Sequence, residues 1–285
     1  MKLKIKRVVL LEALNNVAKA ISTKNIIPIL SGIKFELHRD RLVITASDND
    51  ITIQTVIEKG DNLIIENTGN IVIKGKYILD IIRKLDSEFI NIEIIDDHKI
   101  MIFTENSEFN LNGIEAREYP DIDLTLSSDF VNMSINDFKS MILQTNYACS
   151  LDEARVVLTG VNIKINDDNL ECSATDSYRL ALRKEKLRST VKNSADIIVP
   201  SKNLNELLKL LSSGDDGEIE MHLFSNKVIF KFGNILFQSR LISGTYPNTK
   251  NLIPSDSIFD LSIDCNEFYN MVDRASILNN DTDNN

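Results

Sequence analysis

One long segment of this chain occurs twice. "ILSGIKFELHRDRLVITASDNDITIQ" at 29–54 returns as "VLTGVNIKINDDNLECSATDSYRLAL" at 157–182, an offset of 128 residues. The clearest matches pair Leu30-Ser31-Gly32-Ile33 with Leu158-Thr159-Gly160-Val161 and Ala46-Ser47-Asp48 with Ala174-Thr175-Asp176. An echo of this length predicts two domains of one topology, which a chain of 285 residues can accommodate.

Further segments return at nearly the same offset. "NIVIKGKYILDIIRKL" at 70–85 matches "DIIVPSKNLNELLKLL" at 196–211, and "EYPDI" at 118–122 matches "TYPNT" at 245–249. Apolar residues in the longer pair recur at i, i+3, i+4 and i+7, which predicts one amphipathic helix per copy. These positions are Ile78, Ile81, Ile82 and Leu85, then Leu204, Leu207, Leu208 and Leu211.

Another helix is predicted three times, at 7–22, 135–150 and 264–278, each after a short alternating segment. Apolar and polar residues also alternate between the helices, as in "IKFEL" at 33–37, which is typical of half-buried antiparallel strands. The predicted fold class is therefore α+β, with tandem repeats that each pack two helices on antiparallel sheet.

The repeats predict domains at 1–125, 126–254 and 255–285, of which the third is incomplete. One strand and one helix cannot bury a core alone. Either this last segment packs on the second domain, or the chain is a fragment of a longer protein. We favour the fragment.

Composition limits the compartment and the cofactors. The 43% hydrophobic residues support real cores without a membrane-spanning run, and 1–16 lacks the features of a signal peptide, so a cytoplasmic protein is predicted. The widely spaced Cys149, Cys172 and Cys265 are predicted to be buried thiols. No metal or other cofactor is expected, since the histidines, His38, His98 and His222, also stand apart from any ligand-spaced partner.

The net charge of −10 argues against a simple nucleic-acid-binding domain, because such domains are usually basic. An enzyme is also disfavoured. "SDN" at 47–49 lacks the companion motifs of the penicillin-recognising serine enzymes, and "DDGE" at 215–218 lacks calcium-loop spacing.

Four segments, in this order, resemble the bacterial DNA polymerase III beta subunits, the sliding clamps. They are "IPILSGI" at 27–33, "RVVLTGV" at 155–161, "ATDSYRLAL" at 174–182 and "GTYPNTKNLIP" at 244–254. The resemblance covers the whole chain and includes the threefold repeat, although the third domain of the family breaks off here. It implies a non-catalytic accessory subunit of a DNA-directed DNA polymerase, working as a processivity factor in DNA replication.

The resemblance also implies how an acidic chain holds DNA. Two full-length chains of the family form a homodimer ring around duplex DNA, so retention does not need strong phosphate binding. Sliding uses phosphate contacts, which carry no sequence information. The implied DNA-binding residues are Lys24, Lys76, Arg83 and Lys202. The helix pattern alone favours an ordinary solvated face over a DNA contact.

A second implied site takes short peptides from partner proteins, namely the DNA polymerase III catalytic subunit, the clamp loader and repair proteins. Its lining corresponds by position to Leu158, Thr175, Ser177, Tyr178, Arg179, Leu180, Pro247 and Leu252. Apolar walls with a few polar groups suit peptide anchors. Without the resemblance, Leu158 and Leu180 are ordinary strand core and Pro247 is an ordinary turn residue. The alternative function is a repeat-built scaffold that binds proteins and does not encircle DNA.

Overall fold

The computed structural model describes residues 1–22, 27–96, 98–187, 194–211, 217–249, 252–253 and 258–277. Residue contacts divide the chain into two compact units, Met1–Tyr246 and Pro247–Asn285. The larger unit holds the helices and strands described for both copies of the repeat, and the smaller one holds a single helix, α5 (Cys265–Ser276), among its described residues.

The described part of copy one contains two α-helices and nine strands. The helices are α1 (Arg7–Val17) and α2 (Gly75–Lys84). The strands are β1 (Lys2–Lys6), β2 (Gly32–Leu37), β3 (Arg41–Ser47), β4 (Ile51–Glu58), β5 (Leu63–Asn67), β6 (Gly69–Lys74), β7 (Phe89–Asp96), β8 (Lys99–Phe103) and β9 (Glu108–Asn112).

Copy two repeats this order in its described residues, except that none of them forms a counterpart of β5. Its helices are α3 (Ile135–Leu143) and α4 (Ser201–Leu208). Its strands are β10 (Phe130–Ser134), β11 (Gly160–Asn166), β12 (Asn169–Thr175), β13 (Leu180–Lys186), β14 (Ala195–Pro200), β15 (Glu218–Leu223), β16 (Lys227–Phe232) and β17 (Ile235–Arg240). Together with the antiparallel pairing, this confirms the predicted α+β class.

The helices lie where the apolar periodicity predicts. Ile78 and Ile82 of α2 are fully buried, and so are Leu204 and Leu207 of α4. The first helix is shorter than the predicted 7–22, since α1 ends at Val17 and a single 3-10 turn follows it.

Aromatic side chains fill the core of copy two. Phe138 of α3 meets Phe230 of β16 with ring centroids 5.3 Å apart, and Phe230 meets Phe237 of β17 at 6.3 Å. All three are among the largest fully buried side chains. Tilted ring pairs of this kind add to the stabilisation from burial alone.

One sheet crosses the boundary between the copies. Strand β17 of copy two pairs antiparallel with β4 of copy one, from Ile235 opposite Thr55 to Ser239 opposite Ile51. We call this pairing the seam. It yields an eight-stranded sheet in the order β10-β15-β16-β17-β4-β3-β2-β6. Backbone hydrogen bonds therefore join the copies, in addition to side-chain packing.

The polar segment "ASDND" at 46–50 forms a tight turn before β4. Asp48 Oδ1 accepts hydrogen bonds from the backbone N–H groups of Asp50 (3.0 Å) and Ile51 (2.9 Å). Asn49 takes a left-handed conformation with φ of 81°, which asparagine tolerates better than most residues. The short polar side chains thus replace backbone partners in a tight turn.

Two sequence predictions are wrong. Cys149 and Cys172 are buried as predicted, but Cys265 is exposed, because no described residue of 258–277 is buried. The alternating segment "FDLSI" at 259–263, read as a strand like its two counterparts, has no strand partner among the described residues. Alternation alone does not make a strand, because a strand also needs a hydrogen-bonded neighbour.

Candidate DNA and peptide interfaces

The predicted peptide site is organised by the turn between β12 and β13. Asp176 Oδ1 accepts hydrogen bonds from the N–H groups of Tyr178 and Arg179, both at 3.0 Å. Ser177 is left-handed with φ of 82°. The turn at Asp48 and Asn49 in copy one, 128 residues earlier, has the same hydrogen bonds and the same left-handed residue. The turn between β12 and β13 projects Tyr178 outward, with 90% of its surface exposed.

Thr175 and Leu158 form the buried side of the site. The Thr175 N–H donates to the Tyr246 hydroxyl at 3.0 Å, and Thr175 Oγ1 donates to the Arg179 carbonyl at 2.7 Å. Leu158 packs with Ile198 and Tyr246 in a small cluster of its own. Burial raises the pKa of Tyr246 to about 12, so its hydroxyl stays neutral at physiological pH.

The exposed side of the site carries a cation over an aromatic ring. The Arg179 guanidinium lies 5.8 Å from the Tyr147 ring centroid and bonds Asp176 through Nε at 2.9 Å. Leu180 is half-buried at the start of β13. Pro247 and Leu252 are exposed and belong to the smaller unit, so their membership of this site stays a prediction.

Sequence reasoning missed Arg155 and Tyr147. Arg155 donates to Ser177 Oγ at 2.9 Å, and Tyr147 supports the Arg179 side chain. The counterparts 128 residues earlier are Ile27 and Lys19, which share none of this chemistry. The repeat therefore carries no signal for either residue, and only the fold brings them to the turn.

The Asp176 carboxyl gives this turn a predicted pH dependence. Desolvation pushes its pKa upward, but the N–H groups of Tyr178 and Arg179 and the Arg179 side chain together outweigh it, so the pKa lies below 3.8. Because the folded pKa is depressed, this stabilisation is present above the ordinary pKa and is lost as pH falls through the lowered value. An NMR titration of the Tyr178 and Arg179 amides down to pH about 2 should show this.

Asp176→Asn keeps an acceptor oxygen but cannot titrate, so in this variant the low-pH step should vanish. A carboxyl that titrates at or above its ordinary value in the wild type would contradict the assigned hydrogen bonds.

The predicted DNA contacts lie on exposed helix surfaces. Lys76 and Arg83 on α2 and Lys202 on α4 are exposed, whereas Lys24 falls outside the described residues. Helix α2 packs beside α1. Arg83 donates to Asn15 Oδ1 at 3.4 Å, one turn before Lys19.

Lys19 links this surface to copy two. Partial burial lowers its pKa; the charge of Lys209 on the next copy also lowers it, while Glu206 raises it. Lys19 therefore lies within interaction range of the end of α4. The surfaces of α2, α1 and α4 follow one another across the boundary between the copies.

Within the described ranges, no group of three or more His, Cys, Asp or Glu side chains is placed to hold a metal ion. No helix in the part of the chain that the structure describes is long and apolar enough to cross a bilayer.

Two family models match this chain, one for each copy of the repeat. The family model for the N-terminal domain of the DNA polymerase III beta subunit matches residues 1–123, and the model for its central domain matches 132–248. The chain is 39% identical over 289 aligned residues to the beta sliding clamp of Staphylococcus aureus strain Mu50 and to that of Staphylococcus epidermidis. Each alignment covers 100% of this chain and 76% of the relative. The chain belongs to the DNA polymerase III beta-subunit family.

Solved sliding clamps share the fold. The crystal structure of the Bacillus subtilis clamp matches with a TM-score of 0.94 at 38% identity, over 99% of this chain and 75% of that one. The clamp of Streptococcus pyogenes matches with a TM-score of 0.85 at 32% identity, over 90% and 68%. Sliding clamps are non-catalytic processivity factors of DNA replication, and this chain shares that function. The family predicted from sequence is confirmed, and its function is favoured over that of an unrelated scaffold.

Proposed function

We propose that this clamp encircles duplex DNA as a homodimer ring and tethers the replicative polymerase and other replication and repair proteins to it. The observation that carries the proposal is the seam. Strand β4 of copy one accepts β17 of copy two as a neighbour, so the repeat has two complementary edges. At an offset of 128, β13 corresponds to β4, and β9 corresponds to β17.

Those two counterpart edges are open among the described residues. Strand β9 pairs only with β8, and β13 pairs only with β12. A unit with one edge of each kind left over joins others head to tail, and such contacts close into rings when the rotation per unit permits. The proposed domains are 1–125, 126–254 and the incomplete 255–285, and in the full-length protein the third domain is proposed to supply the mating edges.

Duplex DNA then lies against the helix surfaces. The cations proposed to touch phosphate are Lys24, Lys76, Arg83 and Lys202. Phosphate contacts leave the clamp free to slide, because they carry no sequence information. The proposed location is the bacterial cytoplasm, where the DNA polymerase III catalytic subunit and the clamp loader work.

Partner peptides are proposed to bind at the turn between β12 and β13. The residues are Leu158, Thr175, Ser177, Tyr178, Arg179, Leu180, Pro247 and Leu252. The clamps of Bartonella birtlesii and Pseudomonas aeruginosa were solved bound to griselimycin. We propose that this clamp binds the same compound, which makes it a defined probe for the site.

Retention on DNA tests the encirclement. The intact gene product, loaded by its clamp loader, should stay on a nicked circular plasmid through gel filtration and leave the same plasmid after linearisation. A ring is lost from a free end, whereas a phosphate-bound protein is not. Equal retention on circles and linear DNA would overturn the ring and favour the scaffold function.

A further inference from the structure

A cleft of about 580 Å³ opens beside the seam, where copy one meets copy two. Thr52 of β4 and Gln238 of β17 line it and face each other in register. Apolar contact comes from Ile27, Leu30 and Ile122. The volume is that of a ligand site, which typically spans about 300–1,000 Å³.

The lining of the cleft includes a side chain with an unpaired acceptor. Gln238 Oε1 is buried and has no hydrogen-bond partner among the described residues. A buried acceptor without a donor costs free energy, so such groups usually have a partner. A carboxamide offers an acceptor together with two donors, which complements the C=O and N–H of a peptide backbone.

The cleft also holds a cation that no described carboxylate neutralises. Arg240 is exposed and donates to Asn49 Oδ1 at 3.1 Å, with no ion pair to a carboxylate in the described ranges. Lys227, on the same lining, is by contrast paired with Asp123 Oδ2 at 3.3 Å. Arg240 therefore has free donors for a carboxylate. Asp121 also lines the cleft, which disfavours a ligand with more than one negative charge.

We propose that this cleft is a second peptide-docking site, which takes an extended partner segment with aliphatic residues followed by one acidic residue. The aliphatic side chains pack on Ile27, Leu30 and Ile122, the backbone pairs with the Gln238 amide, and the carboxylate pairs with Arg240.

The repeat shows that this ligand differs from that of the turn between β12 and β13. Five positions of that site have counterparts in the cleft at offsets of 127 or 128, but Leu180 corresponds to Thr52. The site at the turn between β12 and β13 has the apolar side chain of Leu180, whereas the cleft has the hydroxyl of Thr52, so this part of the cleft lining is polar. The proposal does not depend on ring closure.

An NMR titration of the isotope-labelled chain with N-acetyl-Leu-Leu-Asp-amide tests the proposal. Saturable shifts are expected at the backbone amides of Thr52, Gln238 and Arg240. The same peptide with Asn in place of Asp should bind about fivefold more weakly or worse, because the charge-assisted bond is lost. Arg240→Gln should abolish the difference between the two peptides, and Gln238→Leu should weaken both.

Arg41→Gln is the matched control, since Arg41 is an exposed arginine of β3 outside the lining, and this variant should bind both peptides as the wild type does. Three results would each overturn the proposal. These are no saturable shift at the cleft, shifts that survive unchanged in Arg240→Gln and Gln238→Leu, or shifts confined to the amides around Leu158 and Leu180.

Discussion

Replacing Leu180 with Asp is expected to weaken griselimycin binding about tenfold or more, because a buried anchor contact at an interface typically contributes about 2 kcal/mol or more. Leu180 is half-buried beside the Asp176 turn, so a carboxylate there meets water and costs little folding free energy. The ligand that covers the position must desolvate that charge. Isothermal titration calorimetry on folded protein measures the loss, and Pro247→Asp should weaken binding in the same way.

Ile64→Asp is the control for this experiment. Ile64 lies in β5 of copy one with 46% of its surface exposed, so the substitution adds the same charge away from the site. Its affinity should equal that of the wild type. A folded Leu180→Asp variant with unchanged affinity would remove Leu180 from the proposed site.

Adding one methyl group to either repeated glycine is expected to destabilise the fold by about 1–3 kcal/mol, the usual cost of overpacking. A Cβ at Gly160 would lie 2.7 Å from the Val199 carbonyl oxygen, and one at Gly32 would lie 2.5 Å from Val72 Cγ1. Backbone cannot yield as a flexible side chain does, so Gly160→Ala should be the worse of the two.

Chemical denaturation followed by circular dichroism measures this loss, with Gly60→Ala as the control. A Cβ at Gly60 meets no atom within 4 Å, so that variant should keep the wild-type midpoint. Equal midpoints for all three variants would show that close strand packing does not require the repeated glycines.

The repeat allowed much of the fold to be predicted from sequence. Both "SGI" and "TGV" begin a strand that packs tightly on its neighbour, and both "SDN" and "TDS" form one kind of turn. Local chemistry dictates the turn, since its side-chain acceptor and its backbone donors lie within a few residues of one another. Alternation could not reveal the seam, because an edge strand and a central strand share the same period.

The site was less predictable for the same reason. Thr175 and Leu158 follow from the family resemblance, but Arg155 reaches Ser177 across 22 residues and Tyr147 reaches Arg179 across 32, through contacts that only the fold creates. The cleft beside the seam was also missed, since Gln238 and Thr52 are unremarkable polar residues until two strands bring them together.

The seam has a consequence for synthesis of the chain on the ribosome. Strand β4 ends at Glu58, but its partner β17 begins only at Ile235. The edge of β4 is therefore covered only after about 180 further residues have been synthesised. At about 5–20 residues per second this takes roughly 10–35 s. Through that interval copy one presents an unpaired edge carrying Ile51 and Ile53, the kind that templates association with other nascent chains. Pairing of β17 with β4, as soon as β17 has been synthesised, therefore protects the nascent chain from aggregation.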